Sequence, residues 1–86
     1  MKCVIKEIEG EGLESLLNQT VTLFCGVYIY TGKLVGVNDT CVKLADAKIV
    51  YETGAFGEKE WKDAQPLPNS WRVQIGAVES WGILKG

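Results

Sequence analysis

Hydrophobic and polar residues alternate along most of this chain, with a period nearer two than three to four. From Val21 onward, Val21, Leu23, Cys25, Val27 and Ile29 fall on one face of an extended segment. Thr22, Phe24, Tyr28 and Tyr30 fall on the other. The pattern predicts a strand over 21–30. A flat strand of that length would run about 33 Å, so a bend is expected, and Gly26 is the natural place for it. Thr31-Gly32 predicts a tight turn and 33–37 a second strand. Asn38-Asp39-Thr40 reads as a polar turn whose side chains can hydrogen-bond their own backbone. A third strand is predicted over 41–52, kinked at Ala45-Asp46-Ala47. A fourth covers 71–75, Gly76-Ala77 turns the chain, and a last strand covers 78–84.

Two segments fall outside this rhythm. Upstream, 2–8 predicts a short leading strand, broken by Gly10-Glu11-Gly12. Leu13, Leu16 and Leu17 then recur at helical spacing and predict a two-turn helix over about 12–18, with Glu11 and Glu14 where its dipole favours acid. So short a helix cannot stand alone, and its leucines must rest on something. Residues 53–69 carry Gly54, Gly57, Pro66 and Pro68 around Glu58-Lys59-Glu60, and predict a long loop or hairpin tip. Loops of this length in compact domains often carry function or a partner contact. The fold class expected is all-β with one short N-terminal helix, its five strongly bent strands closing as a barrel that spares the sheet exposed edges.

Composition narrows the function more than it defines it. With 86 residues the chain is one domain, 1–86, without internal repeats. A domain this small buries only roughly 60–65% of its unfolded surface, so a partner subunit would help it. Nine Lys and Arg against eleven Asp and Glu give −2, which excludes a nucleic-acid binder working through bulk positive charge. There is no His, so imidazole triads and the commonest general base are excluded. No apolar stretch is long enough to cross a membrane, and none at the N-terminus reads as a signal peptide. Cys3, Cys25 and Cys41 are odd in number and widely spaced, neither a disulfide framework nor a metal knuckle. They read as small buried hydrophobes in a reducing, cytoplasmic setting, with Lys43 beside Cys41 the only basic neighbour that could activate a thiol.

Motifs with catalytic or ligand-binding chemistry fail on inspection. Between Gly26 and Gly32 stand five residues where a phosphate loop needs four, and Leu34 replaces its Ser or Thr. Gly54-Ala55-Phe56-Gly57 has the spacing of a backbone-clamping GxxG but lies between strands and runs into Glu58. Glu58, Glu60 and Asp63 alternate with Lys59 and Lys62, as on a solvated loop. No cofactor, metal or catalytic residue is assigned, and the chain is expected not to be an enzyme. Trp71 and Trp81 fall on strands as core or interface anchors. Trp61 sits in the charged loop, where local packing, a subunit contact and base stacking are all open.

Two segments carry a family resemblance. Gly32-Lys33-Leu34-Val35-Gly36-Val37-Asn38 followed by Leu44-Ala45-Asp46-Ala47 resembles the first motif of the Sm/LSm family, Gly-x-Leu-x-Gly-hydrophobic-Asp and then Leu-x-Asp-Ala. Val73-Gln74-Ile75-Gly76-Ala77-Val78 is similar to the second, Ile-Arg-Gly-x-x-Val. The resemblance covers about 12–84. It implies an SH3-like, Sm-like five-stranded barrel capped by the helix. It also implies a homo-oligomeric ring of five to seven subunits, in which the fourth strand of one subunit pairs with the fifth of the next. Trp71, Val73, Ile75, Val78, Trp81 and Ile83 would then line the subunit interface.

The family's usual partner is single-stranded RNA, and the resemblance points to Asn38, Asp39, Thr40, Gln74 and Gly76 as its pocket. This sequence departs from the family there. The motif Asp is Asn38, the stacking aromatic is Thr40 and the Arg is Gln74. Stacking worth about 1–3 kcal/mol per base is therefore missing. Two functions are expected from the resemblance: a ring that binds RNA at this divergent pocket, or the same ring as a structural or protein-binding scaffold with RNA binding lost.

Overall fold

The computed structural model describes residues 12–85. The expected leading strand at 2–8, and Cys3 with it, lies outside the described residues. A single 3₁₀ turn at Leu13–Leu16 opens the fold. Six strands follow: β1 (Thr20–Cys25), β2 (Ile29–Val37), β3 (Cys41–Glu52), β4 (Asp63–Pro66), β5 (Trp71–Gln74) and β6 (Val78–Gly82). A second 3₁₀ turn, Ile75–Ala77, links β5 to β6. All pairings are antiparallel, and the hydrogen-bonded order is β4-β3-β2-β1-β6, with β5 also on β3. The all-β expectation holds. The ladder is open, because β4 and β6, at its two ends, do not pair with each other.

β3 organises the sheet. Its first half pairs with β5, from Cys41↔Gln74 to Leu44↔Trp71. Its second half pairs with β4, from Lys48↔Pro66 to Glu52↔Asp63. Its other edge runs along β2 throughout. Between the halves the β2–β3 register slips by one residue, from Lys33↔Ala45 to Thr31↔Lys48. Asp46 there takes a left-handed φ of 51°. This is the kink expected at 45–47, and it is a bulge: an extra residue on one strand bends it and increases its twist.

The core fills the face enclosed by that bend. Val21 and Leu23 from β1, Leu34 from β2, Val42, Leu44 and Ala47 from β3, and Val73 from β5 are buried, with Leu13 of the 3₁₀ turn resting on them. Each fully buried Leu contributes about 1.5–3 kcal/mol relative to exposure.

Four boundaries differ from the sequence pattern. The first hairpin turns at 26–28 and not at Thr31-Gly32, closed where the Cys25 N–H donates to the Tyr28 carbonyl at 3.0 Å. The alternation runs through that turn unbroken, yet Val27 is 82% exposed at the tip, so it marks no buried position. The two-turn helix is one 3₁₀ turn. Gly12 offers no capping side chain, and Asn18 leaves the helical region at φ 69°. Leu13 and Leu16 pack on the core while Leu17 stays exposed. The region 53–69 contains β4, a sixth strand, because a short edge strand paired on one side needs no apolar alternation. Finally, β6 ends at Gly82.

Gly32 faces the bulge. A Cβ there would lie 3.0 Å from the Ala47 Cα and 3.1 Å from the Ala45 carbonyl oxygen, backbone atoms that cannot step aside. Gly32→Ala is therefore expected to destabilise the fold by about 1–3 kcal/mol in chemical denaturation. Gly57→Ala, where a Cβ meets nothing within 4 Å, is expected to stay within about 0.5 kcal/mol.

Candidate functional site

The residues expected to form a pocket lie on two segments joined through the backbone, at the end of the sheet where β2 turns into β3. The turn is built by Asn38. Its Oδ1 accepts from the Thr40 N–H (2.8 Å), the Thr40 hydroxyl (2.9 Å) and the Cys41 N–H (2.8 Å). The Asn38 N–H donates to the Cys41 carbonyl at 3.0 Å. The second segment is tied to this turn directly. Gln74 pairs with Cys41, and the Ile75 N–H donates to the Thr40 carbonyl at 2.8 Å. Asn38, Asp39, Thr40, Gln74 and Gly76 are all exposed.

Their chemistry is narrower than their proximity suggests. With its carbonyl oxygen engaged three times, Asn38 has only its amide NH₂ left to offer a ligand. A Cβ on Gly76 would meet nothing within 4 Å, so no steric contact requires glycine there. Beside the turn lies an open cavity of about 600 Å³ lined by Leu13, Glu14, Asn38, Asp39, Ile75 and Trp81 among others. Thr40, Gln74 and Gly76 do not border it. Its charged residues are two carboxylates, Glu14 and Asp39, with no lysine or arginine. A phosphate would meet repulsion there.

The expected interface residues divide by orientation. Val73 is buried in the chain's own core, and Trp71 and Val78 pack against it. Ile75, Trp81 and Ile83 are exposed, Ile83 by 58%. β6 pairs only with β1, and β5 only with β3. Each has one edge without a ladder among the described residues.

A second constellation rests on a residue the sequence pattern did not single out. Lys85, beyond β6, is 3% exposed. Its ammonium donates to the carbonyls of Thr53 (2.6 Å), Ala55 (2.7 Å) and Glu60 (3.1 Å), and lies 5.0 Å from the Trp61 ring centroid. All three N–H groups are engaged, so the charge is compensated by carbonyl dipoles and an indole face. The 53–60 segment is thereby fastened to the chain that leaves β6. Phe56 adds an edge-to-face contact with Phe24, centroids 6.5 Å apart. Of the readings open for Trp61, local packing is the one this contact supports. The sequence signal for Lys85 is weak: one lysine after the apolar pair Ile83-Leu84.

Cys25 and Cys41 are free and half-buried. Burial raises the Cys25 thiol pKa, with Glu79 adding to the effect, so the neutral thiol is favoured. Among the described residues, no cluster of His, Cys, Asp or Glu could hold a metal, and no helix is long and apolar enough to cross a membrane. No protein-family model matches the chain, and no curated protein matches it.

The hydrogen bonds at Asn38 separate a turn-building role from a base-reading one. Asn38→Asp keeps the acceptor and is expected to preserve stability, whereas Asn38→Ala is expected to cost about 1 kcal/mol in thermal or chemical unfolding.

Proposed function

We propose that this chain is an Sm-like subunit that assembles with copies of itself into a closed ring of five to seven. We read the ring as a non-enzymatic scaffold that presents protein-binding surfaces. The observation that carries the reading is a pair of free edges among the described residues: that of β6, beyond β1, and that of β5, beyond β3. Pairing β5 of one copy with β6 of the next would satisfy both, and head-to-tail contacts of that kind close by rotation. Ile75, Trp81 and Ile83 stand exposed beside those edges.

The strand count fits this reading too. β4 and β5 lie in succession along β3, and the Leu67 N–H donates to the Ala47 carbonyl at 2.8 Å between them. Together they are one long fourth strand, interrupted at Pro68 and at Asn69, whose φ is 56°. With β4 and β5 counted as one, the strand count becomes five, the number that the resemblance implies, in a sheet that is open in the single chain.

The RNA reading draws support from the joining of the Asn38 turn to Gln74. The engaged Asn38 carbonyl and the acidic cavity beside it weigh for the scaffold.

Native mass spectrometry of protein purified without nuclease is expected to show one oligomer of five to seven copies without bound nucleic acid. Trp81→Glu is expected to reduce it to monomer. A wild-type monomer at micromolar concentration would contradict the ring, and a ring carrying RNA would contradict the loss of RNA binding.

A further inference from the structure

Negative charge and apolar surface come together at one cavity. The opening of about 600 Å³ beside the Asn38 turn falls in the range, about 300–1,000 Å³, that ligand pockets occupy. Leu13, Val37 and Ile75 give it apolar walls. Another wall is the indole of Trp81, which is 48% exposed. In the β1–β6 ladder Trp81 stands opposite the buried Leu23, on the core side of the sheet. Glu14 and Asp39 supply the charge, and no lysine or arginine in the lining offsets them. The Glu14 carboxylate lies back against Gly12, where a Cβ would come 2.5 Å from its Oε2. Glycine at that position leaves the carboxylate its place on the cavity wall.

We propose that this cavity receives an arginine side chain from a basic segment of a protein partner, with Glu14 and Asp39 holding the guanidinium and the Trp81 indole stacked against it. Acid alone selects no particular ligand, and the combination here is narrower. A guanidinium meets carboxylates through a planar fork of donors and also stacks on aromatic faces, whereas an ammonium is a compact point charge. Among aromatic rings, indole attracts a cation most strongly. The methylene stem of an arginine lies along apolar surface, which Leu13 and Ile75 provide. The proposal rests on the scaffold reading and names the kind of partner such a scaffold would hold. A ring would repeat the site on every copy, so a flexible segment with several arginines would gain avidity without new contacts. The cavity itself is built by one chain, so its occupancy and ring assembly are read separately.

The test is anisotropy of a labelled peptide of four Ser-Gly-Arg repeats, titrated with the full chain at low salt, with native mass spectrometry of the same sample. Glu14→Gln with Asp39→Asn removes the charge at nearly constant shape. It is expected to weaken binding about tenfold or more and to leave the oligomer unchanged. Trp81 is kept, because it also stands beside the β6 edge. The charge-matched control is Glu52→Gln with Glu58→Gln, exposed carboxylates outside the cavity, expected to change affinity less than about threefold. Lysine in place of each arginine in the peptide is expected to weaken binding about threefold or more. Peptide binding by a monomer would support the site and overturn the ring alone. A ring that leaves the peptide unbound would overturn the site alone. The proposal is also overturned by an equal loss in the control pair, by equal affinity for the lysine peptide, or by tighter binding of labelled oligo(U) than of the arginine peptide. Tighter peptide binding by Arg72→Gln would overturn it too, by assigning the cavity to a neighbouring copy: Arg72, exposed on β5, is the chain's only arginine.

Discussion

One backbone contact sets the shape of this protein: the approach of Gly32 on β2 to the bulge at Ala45-Asp46-Ala47 on β3. β3 must serve β2 along one edge and two separate strands along the other. A straight strand would carry β4 and β5 in one plane. The bulge's extra residue shifts the alternation, so Leu44 and Ala47, three positions apart, both reach the core, while β5 pairs with the first half of β3 and β4 with the second. A side chain at position 32 would push the two backbones apart at the point where the bend is made.

The 53–60 segment depends on a different device. A loop rich in glycine and charge has little apolar surface with which to hold itself down. Here a buried ammonium satisfies three of its carbonyls at once. Removing Lys85 would leave those carbonyls to find other donors, and in a partly buried setting each unmet group costs about 1–3 kcal/mol. The same contact fixes the only tryptophan of the loop. Loop order and the course of the chain beyond β6 are therefore one structural unit.

The sequence was most informative where burial and periodicity coincide. Val21, Leu23, Leu34, Val42 and Leu44 alternate because one face is core, and those strands and the kink in β3 were legible from it. It misled where exposed residues kept the rhythm: Val27 continues the alternation through a hairpin tip, which displaced the expected turn to Thr31-Gly32. It was silent on β4, whose Asp-Ala-Gln-Pro has no apolar side to show. The Asn38 turn was legible through its side-chain chemistry, although which atom is engaged was not. Lys85 escaped because nothing local marks a lysine that will be buried by a loop 25 to 32 residues away.

The two free edges connect architecture to proposed role. A small core leaves β5 and β6 each paired on one side, and edge-to-edge assembly is the economical way to satisfy them. Amide hydrogen exchange across β6 tests this most directly, measured at high concentration and again after dilution. The ring predicts that the amides of Val78–Gly82 facing away from β1 exchange slowly in the assembly and fast once it dissociates. Fast exchange of those amides under both conditions would contradict it.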